Sequence, residues 1–129
     1  MVDVTPLIRS DQQVIQSYAN GVFKVSNVTY EQPIIVTSEA TTVWDINNET
    51  TVEELQLNDF KTLIDNADHI DVVLFGAGKT MAFLPKNLRL ALKEAGLSVD
   101  VMDTGAACRT YNVLMAEGRH VACALLPSK

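Results

Sequence analysis

The sequence predicts a single α/β domain whose second half is a βαβαβ unit and whose first part is a β-rich layer on the same core. Three observations carry this. Val72-Val73-Leu74-Phe75 is a continuous apolar run, as expected of a strand buried on both faces. Two amphipathic helix patterns then alternate with strand-length apolar runs up to Leu126. Before them lie only short β-branched runs broken by turn residues.

At 129 residues there is room for one domain with a real core, so residues 1–129 are read as a unit. Its β-rich layer covers about 12–46 and its βαβαβ unit about 71–126. Apolar residues make up 47% and charged residues 20%, which is ordinary globular usage and argues against disorder.

The net charge is −6, and the 10 Lys and Arg read as scattered singly. Neutralising a phosphate backbone takes clustered cations, so neither nucleic acid nor an anionic membrane is expected as a partner. Met1–Pro6 carries an early acid, Asp3, and no apolar core behind a positive leader, so no secretory signal is expected. The apolar runs are too short to span a bilayer. Cys108 and Cys123 form no CxxC and read as reduced thiols of a cytoplasmic protein.

In order along the chain, Val14–Tyr18 and Val22–Val25 flank Asn20-Gly21, whose readiness for positive φ predicts a hairpin. Val28–Tyr30, Ile34–Thr37 and Thr42–Trp44 follow as strands with one face buried, and Trp44 is expected to fill a gap between layers. Asn58 is the expected N-cap of a short helix from Asp59 to about Asn66. Its buried stripe is Phe60, Leu63, Ile64 and Ala67. Pro85 is expected in the first turn of the next helix, with Leu88, Ala91, Leu92 and Ala95 inward and Gly96 at its end. Leu97–Met102 is a strand. Asp103 or Thr104 caps a third helix that runs to about Glu117, and Gly118 closes it. His120–Leu126 is the last strand. This alternation calls for mostly parallel pairing.

Two loops are candidates for chemistry. Gly76-Ala77-Gly78-Lys79-Thr80 follows a buried strand but lacks the glycine that a triphosphate loop needs at Val73, and its helix waits until Pro85. Met81 likewise stands where a dinucleotide fingerprint needs its third glycine. A flexible turn carrying one cation, Lys79, is what remains. Asp103-Thr104-Gly105-Ala106-Ala107-Cys108-Arg109 says more. Small residues at a helix N-terminus with an arginine in the next turn can hold an anion, and parallel strands put both loops on one sheet edge. The same residues equally suit close packing of the helix with an Asp103–Arg109 ion pair.

Cys108 at that helix start could have a lowered pKa, yet neither His69 nor His120 is near it in sequence to serve as base, so a buried, inert thiol is the expectation. Asn112 either ties helix to strand or enters the pocket. No residue spacing suggests a metal or paired catalytic carboxylates, so no catalytic residue, metal or cofactor is assigned.

The runs Val73-Leu74-Phe75-Gly76-Ala77-Gly78, Leu84-Pro85, Val101-Met102-Asp103-Thr104-Gly105-Ala106-Ala107-Cys108-Arg109-Thr110-Tyr111-Asn112-Val113-Leu114 and Glu117-Gly118-Arg119-His120-Val121-Ala122 together resemble one family of small domains. It is typified by an archaeal domain of unknown function, with relatives among adipogenesis-associated proteins and a mitochondrial complex I assembly factor. The resemblance implies a three-layer α/β fold with a mixed central sheet and an additional N-terminal β layer. It implies neither a reaction nor a cofactor. Where relatives commonly carry Gly-Thr-Gly, this chain has Gly76-Ala77-Gly78, which removes a hydroxyl from the loop.

The leading functional reading is a non-enzymatic binding or assembly module with a protein partner, and homodimerisation through strand edges is a further expectation. The alternative is a small-molecule or anion-binding protein, either a binder or an enzyme. Its pocket would lie between the Gly76–Gly78 loop and the Thr104–Arg109 helix start, using Lys79, Asp103, Gly105, Cys108 and Asn112 as well.

Overall fold

The computed structural model describes residues 12–129, so the expectation for Met1–Pro6 lies outside the described residues. β1 (Ile15–Ser17) pairs antiparallel with β2 (Phe23–Val25). The turn between them uses Asn20 and Gly21 at φ 59° and 76°, the left-handed region these two residues tolerate. β2 pairs in turn with β3 (Val28–Tyr30) across Ser26-Asn27, a two-residue turn with both φ positive. These three strands form the small sheet.

β4 (Ile34–Thr37) and β5 (Thr41–Val43) leave that layer. They extend the five-stranded sheet, whose remaining strands are β6 (Val72–Gly76), β7 (Val99–Met102) and β8 (Val121–Leu125). The strand order is β5-β4-β8-β6-β7. β6 runs parallel to both β7 and β8, while β4 is antiparallel to β8, so the sheet is mixed. The β-rich start therefore divides at about residue 31 instead of forming one layer to residue 46. The reason lies in β4 itself: Ile34, Ile35 and Val36 are all buried, so both faces of the strand need cover.

Among the described residues the α-helices are α1 (Lys61–Asp65), α2 (Lys86–Glu94) and α3 (Thr104–Ala116). Two of the expected caps move. A 3-10 turn, Leu57–Phe60, precedes α1, and its N-cap is Gln56, which forms a capping box with Asp59; Asn58 lies inside the turn. Pro85 stands just outside α2 as its N-cap, at ψ 140°, since a residue fixed near φ −65° also fits the extended entry to a helix. Asp103 caps α3 as expected.

Alternation along the central strands makes two cores. On one face Val73, Phe75, Ala122 and Ala124 meet Leu88 and Leu92 of α2. Here Trp44 fills the expected gap, edge-on to Phe60 and Phe75 at centroid distances of 5.4 and 6.2 Å, with Nε1 donating to the Asp59 carbonyl. On the other face Leu74, Cys123 and Leu125 meet Ala107, Tyr111 and Met115 of α3, together with Phe23 and Val25 of the small sheet. The small sheet and α3 thus share one layer.

Candidate functional site

The carboxyl ends of β6, β7 and β8 come together where the two candidate loops were expected to meet, and they meet in direct contact. At Gly76 a Cβ would stand 2.8 Å from Leu125 Cδ2 and 3.0 Å from Thr104 Cα, so only glycine lets α3 approach so closely. The Thr104 N–H donates to the Gly78 carbonyl at 2.9 Å, and the Gly78 N–H donates back to Thr104 Oγ1 at 2.9 Å. The same hydroxyl donates to the Leu126 carbonyl at 2.6 Å. Thr104 is fully buried, and its one hydroxyl fastens the ends of β6 and β8 to the start of α3.

The first turn of α3 is occupied in the same way. Asp103 Oδ1 accepts from the Ala106 N–H at 2.9 Å. Gly105 is buried under Tyr18, whose Cε2 would lie 2.9 Å from a Cβ placed there. Arg109 is exposed, donates from a guanidinium N–H to Tyr18 Oη at 2.6 Å, and lies 5.9 Å from the centre of that ring. Among the described residues no ion pair joins Arg109 to Asp103.

Cys108 is buried, and burial pushes its thiol up to about 12, against the smaller downward pull of Arg109. Burial also drives Cys123 upward, and neither cysteine is in a disulfide. His69 and His120 precede β6 and β8, which places them at the opposite end of the parallel strands from Cys108. Asn112 takes the structural role of the two weighed for it. Its Oδ1 accepts from the Ile15 N–H at 3.0 Å and its Nδ2 donates to the Ile15 carbonyl at 2.8 Å. Tyr111 Oη donates to the Gln13 carbonyl at 2.9 Å.

A groove of about 290 Å³ does border the glycine loop, but on the side away from α3. Gly78, Lys79 and Thr80 form one wall and Asn48–Glu53 the other, with Lys129 paired to Glu49 at 3.0 Å across one end. The polar stretch Asn47–Thr51 reads from sequence only as a break between elements, since nothing local reveals which loop it faces. Among the described residues no cluster of three or more His, Cys, Asp or Glu could hold a metal, and no helix is long and apolar enough to cross a membrane.

Residues 15–126 match the model of a family described as protein of unknown function (DUF498/DUF598). The chain belongs to this family. An uncharacterized protein of Rhodobacter capsulatus is 33% identical over 113 residues, which is 88% of this chain and 83% of that protein. NADH dehydrogenase (ubiquinone) 1 alpha subcomplex assembly factor 3 of Danio rerio is 32% identical over 114 residues. That alignment takes in 88% of this chain but 64% of the assembly factor, so the chain spans under two thirds of that relative. Among solved structures, an outer membrane protein from Bartonella henselae superposes with a TM-score of 0.81 at 34% identity, covering 93% of this chain and 98% of that one. The three-layer mixed α/β fold that the family resemblance implies is the fold observed, and the matching family is described as one of unknown function.

Proposed function

We propose that this DUF498/DUF598 chain is a non-enzymatic binding module that helps to assemble a larger protein complex. The observation that carries this is the similarity to complex I assembly factor 3, which runs along 88% of the chain. The spending of Asp103, Thr104, Arg109 and Asn112 on bonds within the chain supports it, because a catalytic centre needs such groups turned toward a substrate. The module acts in the cytoplasm, a setting in keeping with two thiols that share a core cluster without a disulfide. The test is the native mass of the protein in a fresh cell extract. Migration well above the 14.1 kDa chain or its dimer is expected; migration at the monomer or dimer mass in every extract contradicts the reading.

A second reading, a small-molecule or anion site at the glycine loop, is favoured by the groove beside Gly78 and Lys79. In it Lys79 supplies the charge, while Gly76, Asp103, Thr104 and Gly105 hold the loop in shape from behind. Cys108, Arg109 and Asn112 act only through the fold. Calorimetry against nucleotides and small carboxylates tests it: binding that Lys79→Ala removes would favour this reading, and silence across the panel would end it.

A further inference from the structure

β7 is a terminal strand of the five-stranded sheet, with β6 on its inner side. The Val73 N–H donates to the Ser98 carbonyl and the Ala77 N–H to the Met102 carbonyl, each at 2.8 Å. In a parallel ladder with Val99 beside Val73 and Val101 beside Phe75, the backbone groups of residues 98, 100 and 102 therefore face β6. Those of Val99 and Val101 face outward, and among the described residues nothing bonds to them. Two N–H and two C=O groups are left as an open template for another strand.

Alongside this edge runs a groove of about 480 Å³. Its apolar wall is Leu84, Leu92, Leu97 and Val99, and its rim carries Arg89 and Lys93. Phe83, next to Leu84, is 73% exposed. The cations here are not scattered singly, contrary to the expectation from sequence. Lys86, Arg89 and Lys93 recur at i, i+3 and i+7, so one exposed face of α2 carries three positive charges on a chain of net charge −6. Glu94 is the only acid on that helix. Asp100 belongs to the other face of the sheet, since its partner Leu74 packs with α3.

We infer that the β7 edge and the cationic face of α2 together bind an extended acidic segment of a partner protein by strand addition. The inference rests on the assembly reading and names the chemistry of the partner. The added strand would bond to Val99 and Val101. Its alternate residues, those on the α2 side, would set acidic groups against Arg89 and Lys93, with apolar groups on either side of them against the groove. A second copy of this chain fits less well. The antiparallel register that engages all four free backbone groups sets Asp100 directly opposite its symmetry mate, and like charges in that position repel.

The test is selection from a displayed library of random ten-residue peptides against the purified full chain. Two variants accompany the wild type. Arg89→Glu with Lys93→Glu reverses the rim, and Val101→Pro removes one outward N–H while sparing the ladder to β6. Enriched peptides should carry acidic residues at alternate positions. Their affinity should fall at least about tenfold on charge reversal, and binding should be lost with Val101→Pro. No enrichment, enrichment without alternating acids, or binding indifferent to the charge reversal overturns the inference. If Val101→Pro does not fold, the charge-reversal variant decides alone. A dimer in ultracentrifugation that the edge variants dissociate assigns the edge to a second copy and also overturns it. A native partner captured equally well by wild type and variants overturns this inference while the assembly reading stands. Absence of any native partner for the wild type removes the assembly reading instead.

Discussion

Asn112 on α3 and Ile15 on β1, 97 residues apart in sequence, are joined by a two-bond amide pair in which the asparagine side chain imitates a neighbouring strand. Tyr111 and Arg109 grip the same segment at Gln13 and Tyr18. The run from Arg109 to Asn112 is thus a clamp that holds the edge of the small sheet against α3. Asn112→Ala leaves a partly buried N–H and C=O without partners and is expected to cost about 1–3 kcal/mol of stability. Urea denaturation checks this, and a variant within experimental error of wild type would mean that β1 is held by other contacts.

Thr104→Val keeps the shape but removes the hydroxyl that serves Gly78 and Leu126, so a loss of about 1–3 kcal/mol is expected. Thr104→Ser should recover most of it. Gly76→Ala forces a methyl against Leu125 and Thr104 and should cost about 1–3 kcal/mol through overpacking. Thermal melts of the three variants separate the hydrogen bond from the close approach.

The buried thiol gives a pH dependence with a defined sign. Unfolded, Cys108 ionises near 9.0, whereas in the fold it holds its proton to about 12. Ionisation therefore favours the unfolded chain. Stability from this group is complete below about pH 9 and is lost as pH rises toward about 12. Burial raises the Tyr111 phenol in the same direction. Denaturation midpoints measured from pH 8 upward should fall, and fall less steeply in Cys108→Ala. At pH 8 the native protein should leave a thiol probe unreacted until denaturant is added; rapid labelling of the native state would contradict the burial.

Arg109 is exposed, so Arg109→Ala should shift stability by less than about 1 kcal/mol despite the loss of its bond to Tyr18. A larger loss in a denaturation series would make the guanidinium a structural anchor of the clamp.

Much of this architecture is legible in local sequence. The apolar run Val72–Phe75, the Asn20-Gly21 turn, the stripe of α2 and the Asp103 cap all act over a few residues, and each appears where its pattern places it. The departure of β4 and β5 to the central sheet depends on pairing with β8, nearly ninety residues away, and nothing within Ile34–Thr37 names that partner. The same holds for the candidate site. Glycines, a threonine and an aspartate at a helix start read alike whether they cradle a ligand or let two backbones touch. Only the position of Tyr18, 91 residues from Arg109, and of Leu126 distinguishes the two. The cation row on α2 was legible by its spacing, and it emerges once the helix is seen to leave that face uncovered.

Affinity capture at native expression, with mass spectrometry of what co-purifies, tests the assembly role most directly. The account predicts that the same partner returns in every repeat and in a fixed ratio to the bait. Repeated recovery of the bait alone would contradict it.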